Sequence, residues 1–304
     1  MSLPGGLTVT LDLEDHTQGS DPSRRWLDNA ARLLELLAGK GVRATVFIVG
    51  DVVAEAAALV RRAAADGHEL ALHSATHTPL TQEEPRAYAR ALAAARARLA
   101  DTCGQAVQGY RAPVFSLTPR TAWVVDVLGT CGFSWSSSVL PAVGHPLHGY
   151  PGAPMTPFRW PGGLVELPVP VTRLGPLTLP FLGGIYLRYL PLRLVEARAR
   201  RLPAGSLAWT YLHPYDIDAA EPYFRFPGTS APMSLLLWRR RRHTLARLDW
   251  IGGRLGLGAP LGERIAALGT LPGFAPGAPQ AAGQSVQAPR EQGPETVGDG
   301  QRQM

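Results

Sequence analysis

Three carboxylates, three imidazoles and a guanidinium, those of Asp12, Glu14, Asp15, His73, His77, His213 and Arg111, are the side chains best suited to metal binding and proton transfer. His73 and His77 stand four apart in His-Ser-Ala-Thr-His, so both imidazoles can turn toward one point, which suits a divalent metal ion. Asp12 and Glu14 stand two apart in Thr-Leu-Asp-Leu-Glu-Asp-His. On a strand, side chains two apart share a face, so one carboxylate could ligate and the other act as a base. If the chain turns at Glu14, Asp15 becomes the ligand instead. Taken singly, each feature has a plain reading: capping histidines, a solvated strand end, a structural arginine ion pair, a core imidazole at His213. Their positions in the chain set them apart from those readings.

Each group closes an expected strand. Leu7 to Leu13 alternates β-branched and apolar residues and ends in acid. Val42 to Val49, Glu69 to Leu72, Val107 to Tyr110, Leu164 to Val169 and Leu207 to Leu212 read as further strands. Between them, helical periodicity marks Arg25 to Ala38 (Trp26, Ala30, Leu33, Leu34 and Leu37 on one face), Val53 to Ala65, Glu83 to Ala100 and Pro119 to Leu128. Strands separated by helices of this length predict parallel βαβ units. Seven or eight of them predict a closed or partly closed barrel, with an open doubly wound sheet as the alternative. Strand C-termini are where such barrels gather active sites. No Gly-rich phosphate loop follows a strand.

Composition narrows the classes. Of 304 residues, 45% are hydrophobic and 18% charged, enough for a core and too apolar for a wholly disordered chain. The net charge is +6, and Lys40 is the only lysine among 30 basic residues. The arginines are scattered apart from Arg239 to Arg242, with no aromatic-interleaved platform, so nucleic acid is not the expected partner. Cys103 and Cys131 make neither a disulfide framework nor a metal spacing. Residues 1–6 lack a basic region leading into an apolar stretch, and Leu174 to Leu187 is short and broken by Pro176 and Pro180. A cytoplasmic protein is expected. Leu174 to Leu202, apolar and then arginine-rich, reads as a covering loop and helix, or as a docking surface for an anionic membrane. The expected division is a barrel domain over 1–272 and a disordered Pro/Gly/Gln-rich tail over 273–304.

The chain resembles the polysaccharide deacetylases with the NodB homology domain (carbohydrate esterase family 4), and within them the branch found beside exopolysaccharide and exosortase loci. Five ordered blocks carry the resemblance: residues 10–16, the His-Ser-Ala-Thr-His box at 73–77, Tyr-Arg-Ala-Pro at 110–113, Trp-Ser-Ser-Ser-Val-Leu-Pro at 135–141 and Tyr-Leu-His-Pro-Tyr at 211–215. It implies an α/β fold, a distorted (β/α)7-8 barrel. It also implies removal of N-acetyl groups from a polysaccharide or lipid-linked glycan, with a divalent ion, Zn²⁺ being the expected one, activating water. Asp12 matches the base, Arg111 the arginine that orients it, His213 the general acid, and His73 and His77 two metal ligands. Glu14 or Asp15 is the third ligand, and strand parity favours Glu14. Pro113, Val114, Ser136 and Tyr211 match the oxyanion and substrate pocket. Two positions depart from the pattern: Ser136 replaces the usual Asp, and Val114 stands where many members have tyrosine. The alternatives are a C–N hydrolase of a small non-peptide amide and a non-catalytic sugar-binding relative.

Overall fold

The computed structural model describes residues 3–20, 23–142, 149–175, 177–226 and 228–276. The first strand run divides into β1 (Leu7–Thr8) and β2 (Thr10–Leu13). Its alternation sorts two interiors. Leu7, Val9, Leu11 and Leu13 are buried in one core cluster with Trp26, Ala30, Leu33 and Leu37 of the helix α1 (Arg25–Ala38). Thr8, Thr10, Asp12 and Glu14 occupy the opposite face, buried as well. The five apolar residues that the helical period picks out on α1 are its buried ones. Each of the three leucines among them contributes about 1.5–3 kcal/mol on leaving water.

The remaining elements follow in order. They are β3 (Thr45–Ile48), α2 (Ala57–Ala65), β4 (Glu69–Leu72), α3 (Pro85–Cys103), β5 (Gly109–Tyr110), α4 (Val124–Thr130), β6 (Trp135–Ser136), β7 (Phe158–Arg159) and β8 (Val165–Glu166). After these come a hairpin of β9 (Val171–Leu174) and β10 (Leu177–Pro180), α5 (Gly184–Tyr189), α6 (Leu192–Ala199), β11 (Ala208–Trp209), α7 (Ala231–Trp238), α8 (Thr244–Leu255) and α9 (Leu261–Ala266). The helix α2 begins later than its periodicity predicts. Gly50 and Asp51 donate to Ser74 and Ala75 carbonyls and hold the preceding turn against the end of β4. Residues 119–121 make a separate 3-10 turn before α4.

Strands β2, β3, β4, β5, β6 and β8 pair in that order, all parallel, with β7 antiparallel at the edge. On the other side β11 pairs parallel with β1, and Leu11 bridges to Leu212. The result is a distorted α/β barrel. Among the described residues no ladder joins β7 or β8 to β11, so the wall is open there. The register sets Asp12 beside Phe47 and Phe47 beside Ala71. A second cluster fills the barrel with Phe47, Ala71, Trp135, Val165, Leu167, Trp209 and Tyr211. Gly109 is required here: a Cβ would come within 2.1 Å of the Trp135 ring.

Two sequence expectations change. Phe274 packs on Tyr150, Phe158 and Trp160, and its amide donates to Arg159, so the folded chain runs past the boundary drawn at 272. Residues 277–304 lie outside the described residues. In the 174–202 segment, Phe181, Leu182 and Leu187 belong to the core and Arg188 is buried, so these residues cannot face a membrane. No helix among the described residues is long and apolar enough to cross a membrane.

Candidate active site

The parallel strands deliver their polar residues to one end. Asp12 and Glu14 follow the inner face of β2, His73 follows β4, Arg111 follows β5, and His213 lies just past β11. Three ligand-type atoms from Glu14, His73 and His77 lie within 4.8 Å of one another. Glu14 Oε2 is 2.5 Å from His77 Nε2 and 4.0 Å from His73 Nε2. Glu14 and His73 are buried, and His77 is partly exposed at the mouth. His73 Nδ1 lies 3.0 Å from the Arg111 carbonyl. A carbonyl only accepts, so Nδ1 carries the proton and Nε2 turns its lone pair toward Glu14.

The electrostatics favour a bound cation. Burial pushes His73 down to about 4, keeping it neutral as a ligand must be. Burial opposes charge on Glu14, yet the imidazoles of His77, His213 and His73 hold its carboxyl well below the usual range. Burial also works against charge on His77, and Glu14 outweighs it, raising His77. Two imidazoles and a carboxylate are a donor set for a divalent transition metal with open positions. Apart from the His77 imidazole 2.5 Å away, buried Glu14 Oε2 meets no hydrogen-bond donor among the described residues, which leaves it free to share an ion with the two imidazoles. The residues present therefore fit the group.

Asp15 stands apart. Its oxygens accept from the Thr17 amide and hydroxyl and from the Gly19 amide, at 2.9, 2.6 and 2.6 Å. The backbone turns after Glu14 and spends Asp15 on closing that turn, so it is absent from the cluster.

Asp12 sits beside the cluster. Arg111 Nη1 donates to Asp12 Oδ1 at 2.6 Å and to Thr10 Oγ1 at 2.8 Å, while Nε and Nη2 reach the Ser137 carbonyl and hydroxyl. The guanidinium is fully buried over Phe47, 3.7 Å from the ring centroid, and near Trp209. Aromatic faces and one carboxylate thus offset the cost of burying its charge. Asp12 Oδ2 is left toward His213 Nε2 at 3.8 Å and His73 Nε2 at 4.0 Å.

His213 has a partner that sequence reasoning missed. Its Nδ1 lies 2.8 Å from Oδ2 of Asp216, which is wholly buried and pairs through Oδ1 with Arg188 Nη2 at 3.2 Å. The Tyr215 ring stacks on the imidazole at 4.7 Å. Burial alone would lower the pKa of His213, but the hydrogen bond and charge of Asp216 override it and raise it to about 9. The i, i+3 spacing across His-Pro-Tyr-Asp was the available signal, since a 3-10 turn brings such residues together.

The four pocket candidates separate. Tyr211 packs edge-on to Phe115 and Val114 is exposed, whereas Pro113 is buried. Ser136 is fully buried and bonds to Ser138 Oγ, which in turn accepts from the Ala112 amide. Ser136 is therefore part of the wall, closed to any ligand. A second missed residue, Glu166, is wholly buried and accepts from the Ser138 and Val139 amides, fixing the loop that holds Arg111. Three non-glycine residues at the strand ends have left-handed backbones: Ser74 (φ 67°), Val114 (φ 49°) and Phe115 (φ 53°). Such strain costs about 1–3 kcal/mol per residue and concentrates at functional sites. Ser74 is held by a hydroxyl chain through Tyr88 to Tyr110.

Residues 18–132 match the family model "Polysaccharide deacetylase", and residues 137–254 match "Domain of unknown function (DUF3473)". A chitooligosaccharide deacetylase of Bradyrhizobium sp. (strain ANU 289) is 37% identical over 99 residues, 32% of this chain and 42% of that protein. One from Rhizobium leguminosarum bv. trifolii is 37% identical over 98 residues, with the same shares. The match thus spans less than half the length of these relatives. Two solved structures described as polysaccharide deacetylases share the fold. The one from Pseudomonas aeruginosa PAO1 has TM-score 0.56 and 16% identity, covering 86% of this chain and 89% of its own. The one from Mycobacterium smegmatis has TM-score 0.55 and 18% identity, covering 88% and 92%.

Proposed function

Since the chain carries a polysaccharide deacetylase domain of the NodB type, we propose that it hydrolyses N-acetyl groups on an amino-sugar glycan, with Glu14, His73 and His77 holding a divalent ion. The observation that carries this reading is the meeting of the Glu14, His73 and His77 donors with Asp12 on one side and His213 beyond it. Chitooligosaccharide deacetylases among the relatives support a chitin-like substrate class. Zn²⁺ is the ion we assign to the donor set. Bound there, such an ion supplies Lewis acidity toward the amide carbonyl and makes water easier to deprotonate.

The remaining chemistry belongs to the chain. Arg111 fixes Asp12 through Oδ1 and leaves Oδ2 to take a proton from the attacking water. His213 enters protonated, because Asp216 holds a charged imidazolium by Nδ1 and leaves Nε2–H facing the site. As the C–N bond breaks, Nε2 gives its proton to the departing amine nitrogen. The products are acetate and the free amino sugar. The strained turn at Val114 offers the Val114 N–H for the tetrahedral oxyanion, since the Phe115 and Ser116 amides already donate to the Ala112 and Pro113 carbonyls.

Acetate release from N-acetylglucosamine oligomers tests the reading. Release should require the ion, vanishing on chelation and returning with Zn²⁺. A chelated protein as active as the untreated one would reject it.

A further inference from the structure

A cavity of about 600 Å³ behind the His213 support is lined by six arginines: Arg188, Arg239, Arg240, Arg241, Arg242 and Arg247. Two are compensated, Arg188 by Asp216 and Arg241 by Glu221. The one lining carboxylate, Asp218, is already taken by Arg25 and Asn29. Arg239, Arg240, Arg242 and Arg247 have no carboxylate partner among the described residues. Arg247 donates to the Leu187 and Leu190 carbonyls and Arg240 lies over the Tyr189 ring, which leaves four guanidinium charges round one cavity with no carboxylate, a cluster that an anion would stabilise. Buried Arg188 Nε and Arg241 Nη2 also make no hydrogen bond, and Arg188 Nη2 meets Asp216 Oδ1 alone, at 3.2 Å. Guanidinium forks match phosphate oxygens two at a time, so a ligand with several phosphate oxygens is the complement.

The adjoining surface is of the opposite kind. The helix α7, Ala-Pro-Met-Ser-Leu-Leu-Leu-Trp, ends where the arginine run begins. Its only buried residue is Ser234, whose hydroxyl accepts from the Phe226 amide, while Met233 and Leu235 are each 38% exposed. A helix that buries only its serine, with Met233 and Leu235 exposed and Leu236 and Leu237 half-buried, departs from the ordinary surface helix that buries its apolar face. A second cavity of about 260 Å³ lies along it, lined by Tyr189, Pro232, Leu235 and Leu236, and shares Arg239 and Arg240 with the first.

We propose that the arginine cavity binds the diphosphate of an amphiphile whose alkyl chain lies along the exposed face of α7. An arginine-lined cavity that shares Arg239 and Arg240 with a neighbouring apolar groove complements the polarity of such a molecule: anionic head, greasy tail. The consequence for substrate, a glycan presented on a lipid diphosphate carrier, rests on the deacetylase reading; the binding site itself does not. The cavity reaches His213 through Arg188 and Asp216, so an occupied site also steadies the proton donor.

Titration calorimetry on the full chain separates the possibilities, with farnesyl diphosphate, inorganic pyrophosphate and sulfate as probes. Farnesyl diphosphate should bind about tenfold or more tighter than pyrophosphate, and pyrophosphate tighter than sulfate. Arg240→Glu with Arg242→Glu, both at exposed positions, should weaken both diphosphates about tenfold or more while leaving acetate release from free oligomers unchanged. Leu235→Glu should weaken farnesyl diphosphate alone. Equal affinity for the two diphosphates would overturn the amphiphile and leave a free oligophosphate as the ligand. Diphosphate binding no tighter than sulfate, or unmoved by the arginine substitutions, would overturn the site. Neither result touches the deacetylase reading, which stands or falls on acetate release.

Discussion

His213 Nδ1 lies 2.8 Å from the wholly buried Asp216 Oδ2, and that contact decides which protons His213 carries. Asp216 outweighs the burial that would lower the imidazole pKa, and raises it to about 9. In chelator-treated protein, NMR titration should find His213 near that value, and Asp216→Asn should move it down. The sign for stability follows. A raised pKa adds stability that is full below the ordinary imidazole value of 6.5 and is lost as pH climbs through about 9. Melting temperature should therefore fall across that window in the parent and fall less in Asp216→Asn. Identical profiles for the two proteins would remove Asp216 from this role.

Asp12→Asn should keep the ion and lose turnover by about 10²- to 10⁴-fold, the usual worth of a general base. The Arg111 contact to one oxygen can survive the change, while proton acceptance cannot. Metal content measured beside kcat separates the two effects. A variant with parental kcat contradicts the assignment.

Arg111→Met tests the buried pair. Asp12 would lose its only arginine partner among the described residues and stay buried, so unfolding should cost about 3–5 kcal/mol less. Chemical denaturation reads that loss, and a variant as stable as the parent would mean the pair adds nothing.

Val114 is exposed with φ of 49°, a backbone that β-branched residues rarely adopt. Val114→Gly should raise stability by up to about 1 kcal/mol, since relief of strain exceeds the entropy glycine adds to the unfolded chain. If the turn presents oxyanion donors, kcat should fall as the turn loosens. A destabilised Val114→Gly would show that the side chain, rather than the strain, matters here.

Strand and helix order was legible because the period-2 run Leu7–Leu13 and the helical period of α1 each bury the face they predict. Parity along that strand also separated Glu14 from Leu13. What the turn does after Glu14 was not legible, because Asp15 is spent on the Thr17 and Gly19 amides, a matter of local geometry that an acidic triplet does not encode. Asp216 and Arg188 were hidden for another reason. Arg188 looked like one of a row of surface cations, and only the fold of α5 against the barrel buries it beside Asp216. The place of Ser136 inside the wall depends likewise on its neighbour Ser138, which composition cannot reveal.

The central claim is that Glu14, His73 and His77 hold one divalent ion between them, without Asp15. Elemental analysis of purified parent, His73→Ala, Glu14→Gln and Asp15→Asn proteins tests it most directly. The account predicts about one ion per chain in the parent and in Asp15→Asn, and next to none in the other two. An unchanged ion content in His73→Ala, or its loss in Asp15→Asn alone, would contradict it.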